Sequence, residues 1–216
     1  GHLSKETRSR IPMMRYTQND EQDHILKYFA DHVGTALDFG ANDGETFSNS
    51  RALLLKGWNG VLVDASAEAC NRSRSRYGER MDVEVHNVAI AERDGWVTLH
   101  ESGPHASPAD VALLSSILPE EVEKWRPTTE FKERTVPCIT VASLLARSQF
   151  KRFEFVTIDV EGMDLVVLQA LDLTRLGTGM VIVEVNDRDP LPYLDHCAKH
   201  GLTLLTRNPE NLILCR

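Results

Sequence analysis

The sequence has little that would commit the chain to disulfides, a metal knuckle, a membrane or a polyanion. Its four cysteines, Cys70, Cys138, Cys197 and Cys215, are far apart and form no CxxC pair. They read as free, mostly buried thiols rather than a zinc site or a disulfide framework. No run approaches the roughly 20 apolar residues that span a bilayer, and the opening GHLSKETRSR lacks the apolar centre of a secretory signal. The expectation is a cytoplasmic protein without a membrane partner, with Gly1 to Leu3 set aside as a tag remnant. Positive charge is also short: 24 Lys and Arg stand against 32 Asp and Glu, a formal net charge of -8. Nucleic-acid partners need clustered cations to displace phosphate counterions, so none is expected. The one basic run, Arg72, Arg74, Arg76 and Arg80, reads as a solvated helix face. His196 and His200 share a helix face without an acid in the HExxH sense, so no metal site is expected there.

What is present suits one globular domain: 216 residues, 42% of them hydrophobic. Ile25, Leu26, Phe29 and Val33 recur at helical spacing, which predicts an N-terminal helical extension over residues 1–34. From Thr35 onward short apolar runs alternate with helical stretches. TALDF, GVLVD, DVEVHNV, FEFVTIDV and GMVIVEV read as strands, with a helix beginning near Glu45 after the first. GLTLLT and NLILC read as a closing pair around Asn208-Pro209-Glu210-Asn211. Strands alternating with helices predict an α/β fold, a seven-stranded and mostly parallel sheet covered by helices on both faces, over residues 35–216. Residues 101–137 hold five of the nine prolines and no periodic pattern. They read as a substrate lid or insertion, with a short helix starting at Pro119.

The segment from Asp38 to Gly44 carries the most chemistry: an acidic strand end, then Gly40, Ala41, Asn42, Asp43 and Gly44 in a turn where glycine lets a ligand approach backbone. Ligands of open α/β sheets bind outside the carboxyl ends of the strands. Asp64 closes the second strand where a carboxylate accepts from both hydroxyls of a ribose. A dinucleotide turn, GxGxxG, would need glycine where Asn42 stands, and Asp43 would repel pyrophosphate. S-adenosylmethionine carries a sulfonium and an ammonium but no phosphate, and acids such as Asp38 and Asp43 would favour it.

DFGANDG at 38–44, GWNGVLVDASAEA, VHNVAIAERDGWVTLH and above all IDVEGMD at 158–164 resemble the FkbM-type methyltransferases, from about Thr35 to Asn186. The resemblance implies a Rossmann-like class I methyltransferase fold with strand order 3-2-1-4-5-7-6 and the last strand antiparallel. It also implies methyl transfer from S-adenosylmethionine, usually to a hydroxyl of a natural product, sugar or lipid-like acceptor. By matched position Asp38, Gly40, Asn42 and Gly44 line the methionine end, with Ala41 and Asp43 between them. Asp64 and Ala65 hold the ribose, Asn87 and Val88 flank the adenine, and Asp159 and Glu161 sit at the reacting end. The family pattern has Glu where this chain has Asp64 and where it has Asp164.

An alcohol acceptor must lose a proton, which requires a base or a metal near the methyl. Asp159, Glu161 and Glu184, with Asn186, are the candidates, since the strands ending at Asp159 and Glu184 are expected to be neighbours. The cluster is open to three readings: bases or acceptor-orienting carboxylates, a hard oxygen site for Mg²⁺, or contacts to the cofactor ammonium and to capping backbone. Mg²⁺ is possible but not predicted. His86 reads as a core residue, and His100 and His105 lie near the lid. A small-molecule or saccharide acceptor is expected. The rivals are a nicotinamide-dependent oxidoreductase, although a Tyr-x-x-x-Lys pair is missing, a non-catalytic cofactor-binding module, and a protein or nucleic-acid methyltransferase. Against the last, Asn186 is followed by Asp187-Arg188-Asp189 rather than an NPPY-like tetrapeptide.

Overall fold

The computed structural model describes residues 14–103 and 112–216. In chain order the elements are α1 (Glu21–Phe29), β1 (Thr35–Phe39), α2 (Arg51–Leu55), β2 (Asn59–Asp64), α3 (Ala67–Tyr77), β3 (Val83–Asn87), β4 (Ala89–Ile90), β5 (Gly95–Ser102) and α4 (Pro119–Trp125). There follow β6 (Phe131–Ile139), α5 (Val141–Arg147), β7 (Phe155–Ile158), α6 (Asp164–Gln169), α7 (Leu173–Leu176), β8 (Met180–Glu184), α8 (Leu191–Lys199), β9 (Thr203–Arg207) and β10 (Asn211–Cys215).

Seven strands form one sheet in the order β3-β2-β1-β7-β8-β10-β9. β10 runs antiparallel to both β8 and β9, while the pairs from β3 to β8 are parallel. In chain numbering this differs from the expected 3-2-1-4-5-7-6. That reading counted seven strands, whereas the described residues hold ten. The extra three, β4, β5 and β6, are diverted into a second, three-stranded sheet ordered β4-β6-β5.

Side chains alternate across the large sheet with the strand period of two. Leu37, Phe39, Val61, Val63, Val156, Ile158, Val181 and Val183 face one core, covered by α5, α6 and α8. Ala36, Leu62, Phe155, Met180, Ile182 and Ile213 face the other, covered by α1 and α2. Ile25 and Phe29 of α1 and Trp58 after α2 are buried in that second core. Each such side chain contributes roughly 1.5–3 kcal/mol of transfer free energy. The period also sends Asp38 to the α2 side of the sheet, with Ala36.

Within the N-terminal extension the described helix is α1, which stops at Phe29 and leaves Val33 exposed; residues 1–13 lie outside the described part. The helix expected from Glu45 begins at Arg51. Upstream, Asp43 Oδ1 accepts from the Glu45 and Thr46 N–H groups and Ser48 Oγ from Arg51 N–H, so side chains hold the chain in turns. Much of 101–137 is regular, with the end of β5, helix α4 starting at Pro119 as expected, and β6. Residues 104–111, and with them His105, lie outside the described part. The basic face is less solvated than expected: Arg76 bonds Asp43 O and Glu45, and Arg80 donates to the carbonyls of Leu54 and Trp58. His86 is half-buried against Glu84 at 2.8 Å rather than in the core. His100 is also half-buried, and its backbone pairs with Ser116.

The four cysteines are free, three of them buried. Among the described residues no helix is long and apolar enough to cross a membrane.

Candidate active site

Parallel strands β1, β2, β7 and β8 end at one edge in near-common register: Phe39 pairs with Val63 and Ile158, and Ile158 with Val183. The residues that follow, Gly40, Asp64, Asp159 and Glu184, therefore emerge side by side. They open into a cavity of about 610 Å³, within the range of roughly 300–1,000 Å³ usual for small-molecule clefts.

Gly40, Asn42, Asp64, Ala65, Val88, Asp159, Glu161 and Glu184 line it. Asp38, Ala41, Asp43, Gly44 and Asn87 do not, for different reasons. The Asp38 carboxylate turns under the sheet end and accepts from Ser50 Oγ at 2.5 Å. Asp43 caps its own turn. The Asn87 amide donates to the carbonyls of Asp64 and Ala65, bracing the chain that carries them. The glycines serve chain packing. A Cβ on Gly40 (φ 81°) would lie 1.7 Å from the Asp159 carbonyl oxygen, and one on Gly44 (φ 73°) 2.8 Å from the Tyr77 ring. The negative lining expected from Asp38 and Asp43 comes instead from Asp64, Asp159, Glu161 and Glu184.

The turn itself offers nothing to a phosphate. Gly40 and Ala41 N–H donate to Val63 O, Asn42 N–H to Asp64 Oδ2 at 2.9 Å, Asp43 N–H to Asn42 Oδ1, and Gly44 N–H to Ala41 O. All five amides are engaged internally. Asp64 also accepts from Ser66 N–H on its other oxygen, at 2.8 Å. With two lone-pair sites per carboxylate oxygen, it keeps acceptor capacity toward the cavity.

The second half of the site is acidic. One carboxylate oxygen from each of Asp159, Asp164 and Glu184 lies within 4.8 Å of the others. Asp164 braces the loop: it accepts from Val160 and Gly162 N–H and sits 3.8 Å from Arg188. Glu184 Oε2 is buried without a hydrogen-bond partner. Burial and then the Glu184 and Glu161 charges push Asp159 well above the ordinary carboxylate range, although its side chain opens into the cavity. Glu161 is raised by burial and Glu184, and Glu184 itself to about 7 by burial and Asp164. Burial lifts Asp38 to about 7 and Asp64 to about 6. Ionising the whole cluster is therefore unfavourable unless positive charge lies close by.

Backbone strain is concentrated here. Asn42, Phe47, Ala112, Glu161 and Asn186 all have φ between 45° and 57° and all line the cavity. Such conformations cost about 1–3 kcal/mol each and persist where the surroundings impose them. At Glu161 that imposition is visible, since Ser116 Oγ donates to its carbonyl at 2.7 Å.

Residues the sequence reading did not single out complete the walls: Gln18 from the segment before α1, Lys124 and Trp125 of α4, Asp187, and Pro209 and Glu210 of the β9–β10 turn. The fully buried Glu21 anchors two of these walls. It accepts from Asn19 N–H and from the side-chain amides of Asn208 and Asn211. Arg188, bonded to Glu121 at 2.5 Å, ties α4 to the acidic loop. No periodicity marks such residues; only their convergence in space does.

Among solved structures, monomeric WbdD superposes with a TM-score of 0.50 at 16% identity, over 92% of this chain and 41% of that one. The mitomycin 7-O-methyltransferase MmcR gives 0.44 at 12% identity, over 91% of this chain and 52% of that one. An O-methyltransferase from Bacillus cereus in complex with SAH gives 0.45 at 13%, over 96% and 84%. The chain thus spans 41% and 52% of the lengths of WbdD and MmcR, and the likeness to WbdD concerns the fold. No curated protein matches in sequence. The family described as the methyltransferase FkbM domain matches residues 38–196, from the strand-end Asp38 through the acidic cluster into α8, and the chain belongs to that family.

Proposed function

We propose that the chain transfers a methyl group from S-adenosylmethionine to a hydroxyl of a small-molecule, sugar or natural-product acceptor. One observation carries the reading. Asp64 and the Asp159, Glu161 and Glu184 cluster face a single cavity whose glycine turn has no free amide for pyrophosphate. That combination suits a positively charged nucleoside and speaks against a dinucleotide.

S-adenosylmethionine supplies, when bound, an electrophilic methyl group on a sulfonium. The chain's own residues do the rest. Asp64, fixed by two backbone N–H donors, accepts from the ribose hydroxyls. Asn42 and Val88 wall the nucleoside end. Asp159 takes the acceptor's proton, and Glu184, at the end of the neighbouring strand, holds the acceptor. Nearby positive charge favours the ionised form of Asp159, so it becomes a competent base when the cofactor is in place. Glu161, held in its strained conformation by Ser116, orients the acceptor. Much of the acceleration in such a displacement comes from holding the reacting atoms in line. The acidic lining and the net charge of -8 disfavour a nucleic-acid acceptor.

The test is a methyl-transfer assay with labelled cofactor against a panel of hydroxylated sugars and small natural products. Asp159→Asn is expected to lower turnover by about 10²-fold or more, the scale of general-base catalysis, and Glu161→Gln to lower it by about tenfold or more through lost orientation of the acceptor, with the affinity for S-adenosylhomocysteine changed less than about threefold in each. Unchanged turnover would remove both residues from the mechanism.

A further inference from the structure

The cavity lining is acidic. Asp64, Asp159, Glu161, Glu184, Asp187 and Glu210 line it, and the only lysine or arginine among its described lining residues is Lys124, whose ammonium lies 5.4 Å from the Trp125 ring. Arg188, just behind, is bonded to Glu121 through Nη2 and sits 3.8 Å from Asp164, its Nη1 a buried donor without a hydrogen-bond partner, so its charge is shared between those two acids before it reaches Glu184. Two of the carboxylates are open to a ligand. Glu184 is 8% exposed; the Asn186 side chain bonds its carboxylate, but its Oε2 is a buried acceptor without a donor. Asp187 is exposed, with no hydrogen-bond or ion-pair partner among the described residues. A buried acceptor without a donor is costly, and a ligand that brings a donor there, best a charged one, relieves that cost. S-adenosylmethionine, with a sulfonium, an ammonium and one carboxylate, brings a net charge of about +1 at neutral pH, so even with Lys124 the cavity has more carboxylates than cations and a second cation would favour their ionised form.

Building on the methyltransferase reading, we infer that the acceptor carries a protonated amino group as well as its reactive hydroxyl. Glu184 and Asp187 receive that group, and acceptors bearing phosphate or carboxylate are rejected. Amino sugars and aminocyclitols have this chemistry. Charge complementarity of this kind sets specificity through repulsion of the wrong ligand as much as attraction of the right one.

The experiment titrates the protein saturated with S-adenosylhomocysteine, followed by saturation-transfer NMR. The probes are D-glucosamine and 2-deoxystreptamine, their N-acetylated counterparts, and glucose 6-phosphate. Acetylation removes the charge and keeps the scaffold. The free amines are expected to bind at least tenfold more tightly than the acetylated forms, and the phosphate not to bind. Asp187→Asn should weaken the amines at least threefold while S-adenosylhomocysteine affinity stays within twofold. Equal binding of amine and amide, tighter binding of the phosphate, or no binding of either amine would overturn the inference. So would displacement of the amines by Mg²⁺ alone, which would make the cluster a divalent-cation seat. If S-adenosylhomocysteine itself fails to bind, the methyltransferase reading fails instead; amine binding to the unloaded protein, compared with binding to Asp187→Asn, still decides this one.

Discussion

Asp38 is buried beneath the end of β1, and its carboxylate accepts one side-chain hydrogen bond, from Ser50 at 2.5 Å. Burial is the largest influence on it and pushes its pKa from 3.8 up to about 7. The folded state therefore holds that proton more tightly than the unfolded chain. The stability it contributes is fully present below the unfolded value and is lost as pH rises through about 7. Acidification from about pH 8 to about pH 5.5 should restore ~2 kcal/mol through this group alone, equivalent to ~4–8 °C in Tm for a chain of this size. Asp64 and Asp164 at about 6 and Glu184 at about 7 act with the same sign. Carboxylates held low, such as Asp43 and Asp82, act oppositely, but only at pH below ~5. Asp38→Asn keeps an acceptor for Ser50 and removes the titration. In denaturant titrations at the two pH values, wild type should gain ~2 kcal/mol more than the variant on acidification, and the variant should be the more stable at the higher pH. Equal pH dependence in the two proteins would refute the argument that ionising Asp38 costs stability.

Two further outcomes follow from packing. Gly40→Ala places a methyl 1.7 Å from the Asp159 carbonyl at φ 81°, so it should cost at least ~3 kcal/mol and be read as a large drop in denaturation midpoint; a loss below ~1 kcal/mol would show that β1 and β7 can separate freely there. Glu21→Ala leaves the donors of Asn19, Asn208 and Asn211 without their acceptor. About 3 kcal/mol of destabilisation is expected, with proteolysis of the N-terminal segment accelerated, and an unchanged midpoint would mean the segment is held by other contacts.

The parallel core was legible because its strands are buried on both faces and read as short, mostly apolar runs, TALDF, FVTI and MVIVE among them. The second sheet was not. β5 and β6 are largely exposed, so GWVTLHES and FKERTVPCI sustain no apolar alternation along their length, and Pro137 has no N–H to give to a ladder. The helix start near Glu45 was misplaced because Asp43 and Ser48 engage the amides that a helix would use. At the site, strand-end acids such as Asp64, Asp159 and Glu184 were readable from strand boundaries. Gln18, Trp125 and Glu210 were not, because they meet only through the docking of α1, α4 and the β9–β10 turn. The role of Asp43 was misread because a carboxylate beside a glycine turn looks the same in sequence whether it faces a ligand or caps the turn.

Under the proposed function the cavity takes a sulfur nucleoside on Asp64 and has no place for a dinucleotide. Calorimetric titration tests it directly. S-adenosylhomocysteine should bind the wild-type protein, Asp64→Ala should weaken it tenfold or more, ~1.4 kcal/mol at least, and NADH should give no heat. Binding of NADH with none of S-adenosylhomocysteine, or full affinity in Asp64→Ala, would contradict it.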